Sequence, residues 1–186
     1  MKFYLIIFFF IIFISKNLFA DDTSDWLKRE IDIILEAYKN QNLSNENRFL
    51  LIEETINNNF AGTGIAKFVA GEAWKKSDKN TKKIYIDNFK RHLALNIASM
   101  MQGYSDQTYE LTKSKYDSKN QVTLIDMEIF SDTGSVVVTW RVKESKNKFF
   151  VIDLIVADIS IVVTKRSEFN EVLFEQNKIS YNKITN

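Results

Sequence analysis

The spacing of apolar residues changes near Gly103, and this change limits the folds that the chain can adopt. Before Gly103, apolar residues recur at every third or fourth position, as they do along one face of a helix. After Gly103, apolar residues alternate with polar ones, as they do along a strand with one buried face. A run of helices followed by a run of strands predicts an α+β domain.

Four segments of the amino-terminal half have helical spacing. They are residues 26–39, 45–56, 65–74 and 78–102. Ser44 and Ser77 precede two of these segments and are predicted N-caps, because a serine hydroxyl accepts a hydrogen bond from the free N–H groups of a helix. The fourth segment has one long apolar face, formed by Tyr85, Phe89, Leu93, Ile97, Met100 and Tyr104.

Four segments of the carboxyl-terminal half have the pattern of strands. They are residues 109–116, 122–130, 136–143 and 149–156. The connectors are short and rich in Asn, Asp and Ser, which favour turns, so we expect sequential antiparallel strands. One face of the third strand carries Val136, Val138, Trp140 and Val142. One face of the fourth strand carries Phe150, Ile152, Leu154 and Val156.

An apolar sheet face has to be covered, and the amino-terminal helices are the available cover. The predicted architecture is therefore α+β, with helices packed on one face of a twisted four-stranded antiparallel sheet. Ser160 is predicted to cap a final helix, whose helically spaced members are Val163, Arg166, Phe169, Asn170 and Leu173. The β-branched residues 161–164 would also suit a strand.

Residues 1–20 have the features of a secretory signal peptide. Lys2 precedes an apolar run over residues 3–14, and Ala20 precedes an acidic pair. A run of this length is too short for a bilayer core, which needs about 20 residues. We therefore expect cleavage after Ala20, with an uncleaved membrane anchor as the alternative.

Residues 21–186 are predicted to form a single domain. Loss of Lys2 and Lys16 with the signal peptide changes the formal charge from +1 to −1. A nearly neutral chain gives no electrostatic reason to expect nucleic acid as a partner. The chain has no cysteine, so the fold cannot depend on disulfides and a lipid anchor on cysteine is excluded.

The sequence offers little catalytic chemistry. His92 is the one histidine, whereas a zinc site usually takes several His or Cys ligands. No Gly-x-Ser-x-Gly segment is present to form a nucleophile elbow. Four carboxylates could act as an acid/base pair if they converged, although solvated strand or turn positions are the simpler interpretation: Asp126, Glu128, Asp153 and Asp158.

Two segments together resemble one known family. Residues 149–169 read FFVIDLIVADISIVVTKRSEF, with an aromatic residue four positions before Asp153, then Ser160 and the Thr164-Lys165-Arg166 run. Residues 71–77 read GEAWKKS and are followed by Phe89. This order resembles the MlaC, or toluene-tolerance, family of periplasmic phospholipid-transport proteins over about residues 49–173. Asp158 departs from the pattern, since the family has Gly there.

Membership of that family would imply a shuttle protein that carries phospholipid across the periplasm and maintains outer-membrane lipid asymmetry. The implied partners are phospholipid, an outer-membrane lipoprotein–porin complex and an inner-membrane lipid-transporting ABC complex. No enzyme activity, cofactor or metal is implied. Two alternatives remain: a carrier of hopanoid or another apolar lipid, and an enzyme on a similar cone-shaped α+β fold that uses a buried carboxylate such as Asp126 or Asp153.

In a lipid carrier of this type, the apolar faces of the helices and the sheet would enclose a pocket for acyl chains. The same residues would form a closed core in an ordinary domain, and periodicity does not separate the two cases. The candidate lipid-binding residues are Phe68, Trp74, Phe89, Leu93, Ile97, Met100, Val138, Trp140, Phe150, Ile152 and Leu154. Arg166 is the candidate for the phosphate of the head group, because its guanidinium offers a planar fork of donors.

Overall fold

The computed structural model describes residues 18–101, 104 and 107–169. Four helices come first: α1 Leu18–Lys39, α2 Asn45–Asn59, α3 Gly62–Lys76 and α4 Lys79–Met101. Five strands follow: β1 Thr108–Asp117, β2 Val122–Ser131, β3 Gly134–Ser145, β4 Lys148–Val156 and β5 Ile159–Ser160. Residues 161–169 form a fifth helix, α5. The predicted α+β class is confirmed, and residues 161–164 are helical rather than extended.

Some predictions fall on residues outside this description. Residues 1–17, position 102 of the fourth predicted helix, and Asn170 and Leu173 of the last one are among them. The cleavage site after Ala20 falls within α1, which begins at Leu18 and so starts earlier than predicted. The signal peptide and the single mature domain stay predictions. No helix in the described ranges has both the length and the apolar character needed to cross a bilayer.

Of the N-caps predicted at Ser44 and Ser77, one is confirmed and the other is wrong. The Ser44 hydroxyl accepts a hydrogen bond from the N–H of Asn47 at 3.2 Å, as predicted for an N-cap. The prediction for Ser77 is wrong, because its hydroxyl donates to the carbonyl of Ala73 in α3 at 2.8 Å. Asp78 caps α4 instead, and its carboxylate accepts from two N–H groups of the first turn. A carboxylate there also meets the positive end of the helix dipole.

The sheet is antiparallel throughout, in the order β1-β2-β3-β4-β5. It therefore has five strands where four were predicted, because the two-residue β5 pairs with the end of β4. Ala157 and Asp158 form the turn between them, with φ of 48° and 63°. Two positive φ values in a two-residue hairpin loop are typical of a type I′ turn. A strand of two residues is too short to leave a periodic pattern in the sequence.

A β-bulge in β4 changes which of its side chains face the helices. Val142 is paired with Val151 and Arg141 with Asp153, so Ile152 is an extra residue. Phe150 is paired with Lys143 and so shares the opposite sheet face. The prediction of one face formed by Phe150, Ile152, Leu154 and Val156 is wrong for this reason. The covered side of β4 is formed by Phe149, Val151 and Leu154, which belong to the core or pack against it.

The core lies between the helices and the covered face of the sheet. Its buried members are Leu27, Ile52, Ile56, Phe60, Ile65, Ala66, Val69, Phe89, Ala94, Ile125, Val142 and Val151. The chain between α2 and α3 is fixed to β4, because the N–H of Ala61 donates to the carbonyl of Val151 at 2.9 Å. The predicted packing of helices on one sheet face is confirmed.

Candidate functional site

A narrow, mainly apolar crevice lies where α3 and α4 meet β4 and α5. Its lining residues are Phe60, Ile65, Phe89, Leu93, Asp153, Leu154, Ile161, Val162 and Lys165. Its volume is about 20 Å³, which is enough for roughly one water molecule. Pockets for small-molecule ligands usually measure about 300–1,000 Å³. In this conformation the crevice is therefore far too small to hold a lipid.

Six of the predicted lipid-binding residues lie on the covered side of the sheet or on the helix above it. Phe89, Leu93 and Leu154 line the crevice. Ile97 and Trp140 pack against the core. Val138 is buried and is paired with Val156 across the sheet. The structure thus brings these six residues into one layer.

The other predicted residues lie elsewhere. Met100 is 69% exposed, and its neighbour Met101 packs against the core instead. Phe68 is 42% exposed, beside the buried stripe of α3. Trp74 is half-buried, with the ammonium of Lys82 5.5 Å from the centre of its ring. Phe150 and Ile152 are half-buried and do not belong to the core layer, as the bulge in β4 explains.

Asp153 is a buried carboxylate at the edge of the crevice, 4% exposed. One oxygen accepts from the N–H groups of Leu154 at 2.8 Å and Val162 at 3.2 Å. The other accepts from the hydroxyl of Ser160 at 2.7 Å and from the guanidinium of Arg141 at 3.4 Å. These four donors come from β3, β4, β5 and the first turn of α5. Asp153 thereby fixes the start of α5 to the sheet, and we call this set of contacts the Asp153 anchor.

Ser160 has a second role in the same anchor. Its hydroxyl accepts a hydrogen bond from the N–H of Val163 at 3.1 Å, so the predicted N-cap of the last helix is confirmed. The residues of α5 then reach the helical layer through two aromatic contacts. The guanidinium of Arg166 lies 4.6 Å from the ring centre of Phe68, and the ring centre of Phe169 lies 5.3 Å from that of Tyr85.

The remaining carboxylates and the histidine do not converge with Asp153. Asp126 accepts from the hydroxyl of Thr139 at 2.7 Å and Glu128 from Ser135 at 2.6 Å, both on the sheet face away from the helices. Asp158 is exposed in the turn before β5. His92 is exposed on α4. Within the described ranges, no group of three or more His, Cys, Asp and Glu could hold a metal ion.

A second groove, between α2 and α4, is larger but polar. It measures about 260 Å³ and is lined by Glu53, Asn57, Asp87, Asn88, Lys90 and Arg91. Arg91 and Glu53 form an ion pair at 3.0 Å across it. All of its lining residues are polar or charged, with both charge signs present, and this makes the groove unsuited to acyl chains.

Two polar atoms of the covered layer have no hydrogen-bond partner in the part of the chain that the structure describes. They are the hydroxyl oxygen of Tyr85 and the indole nitrogen of Trp140, and both are buried. Burial raises the pKa of Tyr85 to about 12. Both residues lie on faces predicted to be apolar, and nothing in the apolar pattern indicates that their polar atoms would lack partners. The only available signal was that buried Tyr and Trp usually need such a partner.

Gly71 belongs to one of the two segments that carried the family resemblance, and the backbone conformation explains why a glycine stands there. It interrupts α3 with φ 53° and ψ −124°. Glycine adopts this backbone conformation without the steric clash of a Cβ atom, whereas other residues are strained there. The interruption separates the buried residues Val69 and Ala70 from Trp74 in the last turn of α3.

A family model described as MlaC protein matches residues 28–183, which is most of the chain. The chain belongs to the MlaC family. The family resemblance stated from residues 71–77 and 149–169 is thereby confirmed. Asp158 is a departure from the MlaC pattern that the fold accommodates, since this residue adopts the positive φ of a type I′ turn.

A solved structure has the same MlaC-like architecture. It is that of a phospholipid-binding protein from Ralstonia solanacearum in complex with a phospholipid. The TM-score is 0.73 at 16% sequence identity, and the match covers 83% of this chain and 89% of that chain. At this identity the likeness establishes the fold. Comparison with curated protein sequences finds no match.

Proposed function

We propose that this protein binds a phospholipid at the crevice and carries it across the periplasm. The observation that carries the proposal is the mainly apolar crevice beneath α5, in a chain of the MlaC family. The phospholipid bound to the Ralstonia protein of the same fold supports this choice of ligand. Binding and transport, rather than catalysis, is the proposed role, and no cofactor or metal takes part in it.

The physical need for a carrier follows from the acyl chains. Each CH₂ group that leaves water contributes about 0.8 kcal/mol. Two chains of about fifteen methylenes therefore give a barrier on the order of 24 kcal/mol to free passage through water. A carrier does not have to bind the lipid more tightly than a membrane does. It only has to replace water as the surroundings of the chains.

Lipid entry requires the crevice to widen, because about 20 Å³ cannot hold an acyl chain. We propose that α5 moves to do this, because none of its residues 161–169 is among the buried core residues. Its side contacts to the helical layer include the Arg166–Phe68 and Phe169–Tyr85 pairs. The Asp153 anchor holds its first turn and acts as the fixed end of the movement.

Lys165 and Arg166 are the residues that we propose to contact the head group. Lys165 lines the crevice, and Arg166 lies on the exposed ring of Phe68 beside it. Displacement of α5 frees the guanidinium from the ring, so that it can donate two parallel hydrogen bonds to phosphate oxygens. The acyl chains would then extend between α4 and β4, with the head group near solvent.

The proposed location is the periplasm, after cleavage of the signal peptide behind Ala20. The proposed partners are the outer-membrane lipoprotein–porin complex and the inner-membrane lipid-transporting ABC complex, with maintenance of outer-membrane lipid asymmetry as the result. A passive carrier exchanges lipid down a free-energy gradient, so the direction of transport is set by the affinities of those partners.

Native mass spectrometry of gently purified protein, followed by lipid extraction, tests the ligand. We expect one two-chain phospholipid per protein. A polycyclic lipid in its place would support the hopanoid alternative. Absence of any apolar ligand, together with failure to take up phospholipid from vesicles, would contradict the proposal.

A matched pair of variants tests whether the ligand binds in the crevice. Leu93→Trp puts a large ring at the crevice wall, whereas Leu95→Trp puts the same ring on the exposed side of α4. We expect Leu93→Trp to lower lipid retention strongly and Leu95→Trp to leave it unchanged. Equal retention in the two variants would place the lipid elsewhere.

The carrier role needs its own measurement. Transfer of a fluorescent phospholipid between two populations of vesicles should accelerate in proportion to the concentration of wild-type protein. Leu93→Trp should transfer little, and Leu95→Trp should match the wild type. A protein that retains lipid but does not accelerate transfer would be a lipid store or sensor, and the carrier proposal would fail.

A further inference from the structure

We infer that Tyr85 and Trp140 recognise the ester carbonyls of a diacyl phospholipid, through their phenolic O–H and indole N–H groups. This inference rests on the proposed function and makes its ligand more specific. It assigns to the crevice a polar element that selects an ester-linked lipid over an ether-linked or purely hydrocarbon one. Two observations carry it: the state of these two polar atoms and their position around the crevice.

The two atoms are unusual because buried polar groups almost always have partners. Neither has one among the described residues, although both side chains are firmly packed. An indole N–H can only donate, and a phenolic O–H is protonated at neutral pH and can donate as well. A hydrogen-bond acceptor is therefore the kind of partner that suits both atoms.

The two side chains flank the crevice from opposite layers. Tyr85 lies one turn before Phe89 on α4, with 6.0 Å between their ring centres, and Phe89 lines the crevice. Trp140 is paired with Leu154 across the sheet, and Leu154 lines the crevice from the other side. A molecule that separated α4 from the sheet at this point would lie between the two donors.

A diacyl phospholipid brings the required acceptors to this depth. Its two ester carbonyls lie where the head group joins the acyl chains, and each is an acceptor with no donor of its own. With the phosphate near Arg166 at the outer edge, the carbonyls come next along the lipid and the chains follow. Dialkyl ether lipids and polycyclic hydrocarbons carry no carbonyl there.

The energetic consequence is selectivity. A site with buried donors binds well a ligand that supplies acceptors, and it rejects an analogue that leaves those donors unpaired. In the closed protein the same donors have no partner among residues 18–101, 104 and 107–169, so their removal should not destabilise the unliganded fold. A purely structural role for the Tyr85 hydroxyl would have the opposite effect on stability.

The test uses two phosphatidylglycerols that have the same head group and the same chain length. One is linked by esters and the other by ethers, and they are offered as an equimolar mixture in vesicles to delipidated full-length protein. Native mass spectrometry separates the two complexes by mass. We expect the wild type to prefer the ester lipid by about tenfold, a ratio that corresponds to about 1.4 kcal/mol.

Tyr85→Phe removes the phenolic O–H and keeps the ring, and it should reduce the ester preference several-fold. Its melting temperature without lipid should equal or exceed that of the wild type. The matched control is Tyr109→Phe, because Tyr109 donates to Asp32 at 2.6 Å on the far side of the core. That variant should melt earlier and keep the full ester preference.

The outcomes distinguish failure of the inference from failure of the proposed function. If the wild type retains both lipids equally, the inference fails while the proposed function stands. If Tyr85→Phe melts earlier and keeps the ester preference, the hydroxyl is structural and the inference also fails. If neither lipid is retained, the proposed function fails and the inference with it.

Discussion

The two sides of the core are closed in different ways. On the α1 side, α1 covers β1 and β2, and the hydroxyl of Tyr109 donates to Asp32, which also pairs with Lys28 at 2.6 Å. On the α5 side, α4 and α5 cover β4, and the hydroxyl of Tyr85 has no partner among the described residues. Tyr109 thus has an acceptor within the chain, whereas Tyr85 and Trp140 have none among the described residues and lie beside a crevice. This difference supports the proposed position of the lipid on the α5 side.

The Asp153 anchor should be the most sensitive point of the α5 side. Asp153→Ala leaves the guanidinium of Arg141 and the N–H of Val162 without their buried acceptor. We expect a loss of about 3–5 kcal/mol in the free energy of unfolding. Urea denaturation measures it.

Asp126→Ala is the matched control for this loss. Asp126 also lies on the sheet and accepts a hydrogen bond from Thr139, but it is only half-buried. We expect a change of about 1 kcal/mol or less. Equal losses in the two variants would show that Asp153 is no more than another strand carboxylate.

Truncation of one leucine on each side should separate stability from binding. Leu27→Ala on α1 removes a side chain that is 1% exposed, and it should lower the free energy of unfolding by about 2–4 kcal/mol without altering lipid selectivity. Leu93 borders the crevice, and Leu93→Ala should lower the free energy of unfolding by less, about 1 kcal/mol. Urea denaturation together with lipid retention checks both. A larger loss for Leu93→Ala would mean that the α5 side is as tightly packed as the α1 side.

Alkaline pH should lower the free energy of unfolding through the buried phenol of Tyr85. Its pKa is about 12 in the folded protein and about 10 in the unfolded chain. Because the unfolded chain releases the proton first, this titration leaves the free energy of unfolding unchanged below pH about 10 and lowers it as the pH rises towards 12. Urea denaturation at several pH values should therefore give a shallower alkaline decline for Tyr85→Phe than for the wild type.

Tyr109 allows the same measurement on the α1 side. Burial, and then the hydrogen bond and charge of Asp32, also raise the pKa of Tyr109. Tyr109→Phe should likewise flatten the alkaline decline, but it should lower stability at pH 7, where Tyr85→Phe does not. Identical behaviour of the two variants at pH 7 would remove the contrast between the two sides.

The turn before α5 should give the smallest effect. Ala157 has a φ of 48°, which strains any residue with a Cβ atom. Ala157→Gly should raise the free energy of unfolding by about 1 kcal/mol, because it removes that strain. Thermal denaturation measures it, and lipid retention should not change. A destabilised variant would mean that the Ala157 side chain makes a contact on which α5 depends.

The order of the helices and strands was predictable because the spacing of apolar residues differs between the two. The four amino-terminal helices, the four long strands and the helical start of α5 were predicted with ends that differ by a few residues, apart from the earlier start of α1. The bulge in β4 was not, because Val151 and Ile152 are both β-branched and apolar, and the pattern is compatible with either register. A turn or cap role was expected for Asp153, and its contact with the N–H of Val162 in α5 fits a cap, but its pairing with Arg141 and Ser160 was not predicted.

The candidate site was predictable only as a layer. Phe89, Leu93 and Leu154 were predicted to lie in this layer and do line the crevice, but their role in binding lipid stays a prediction. The size of the crevice depends on how closely the layers approach, and the unpaired state of Tyr85 and Trp140 depends on which acceptors come near. Both are properties of tertiary packing, which the periodicity of one chain does not specify.

Photo-crosslinking tests most directly whether the α5 side is the lipid site. A phosphatidylglycerol with a diazirine in one acyl chain is loaded into the wild-type protein and irradiated, and the labelled peptides are identified by mass spectrometry. We predict labels on α4, β4 and α5, at or beside Phe89, Leu93 and Leu154. Labels confined to α1, β1 and β2, or no label on a protein that retains the lipid, would contradict this assignment.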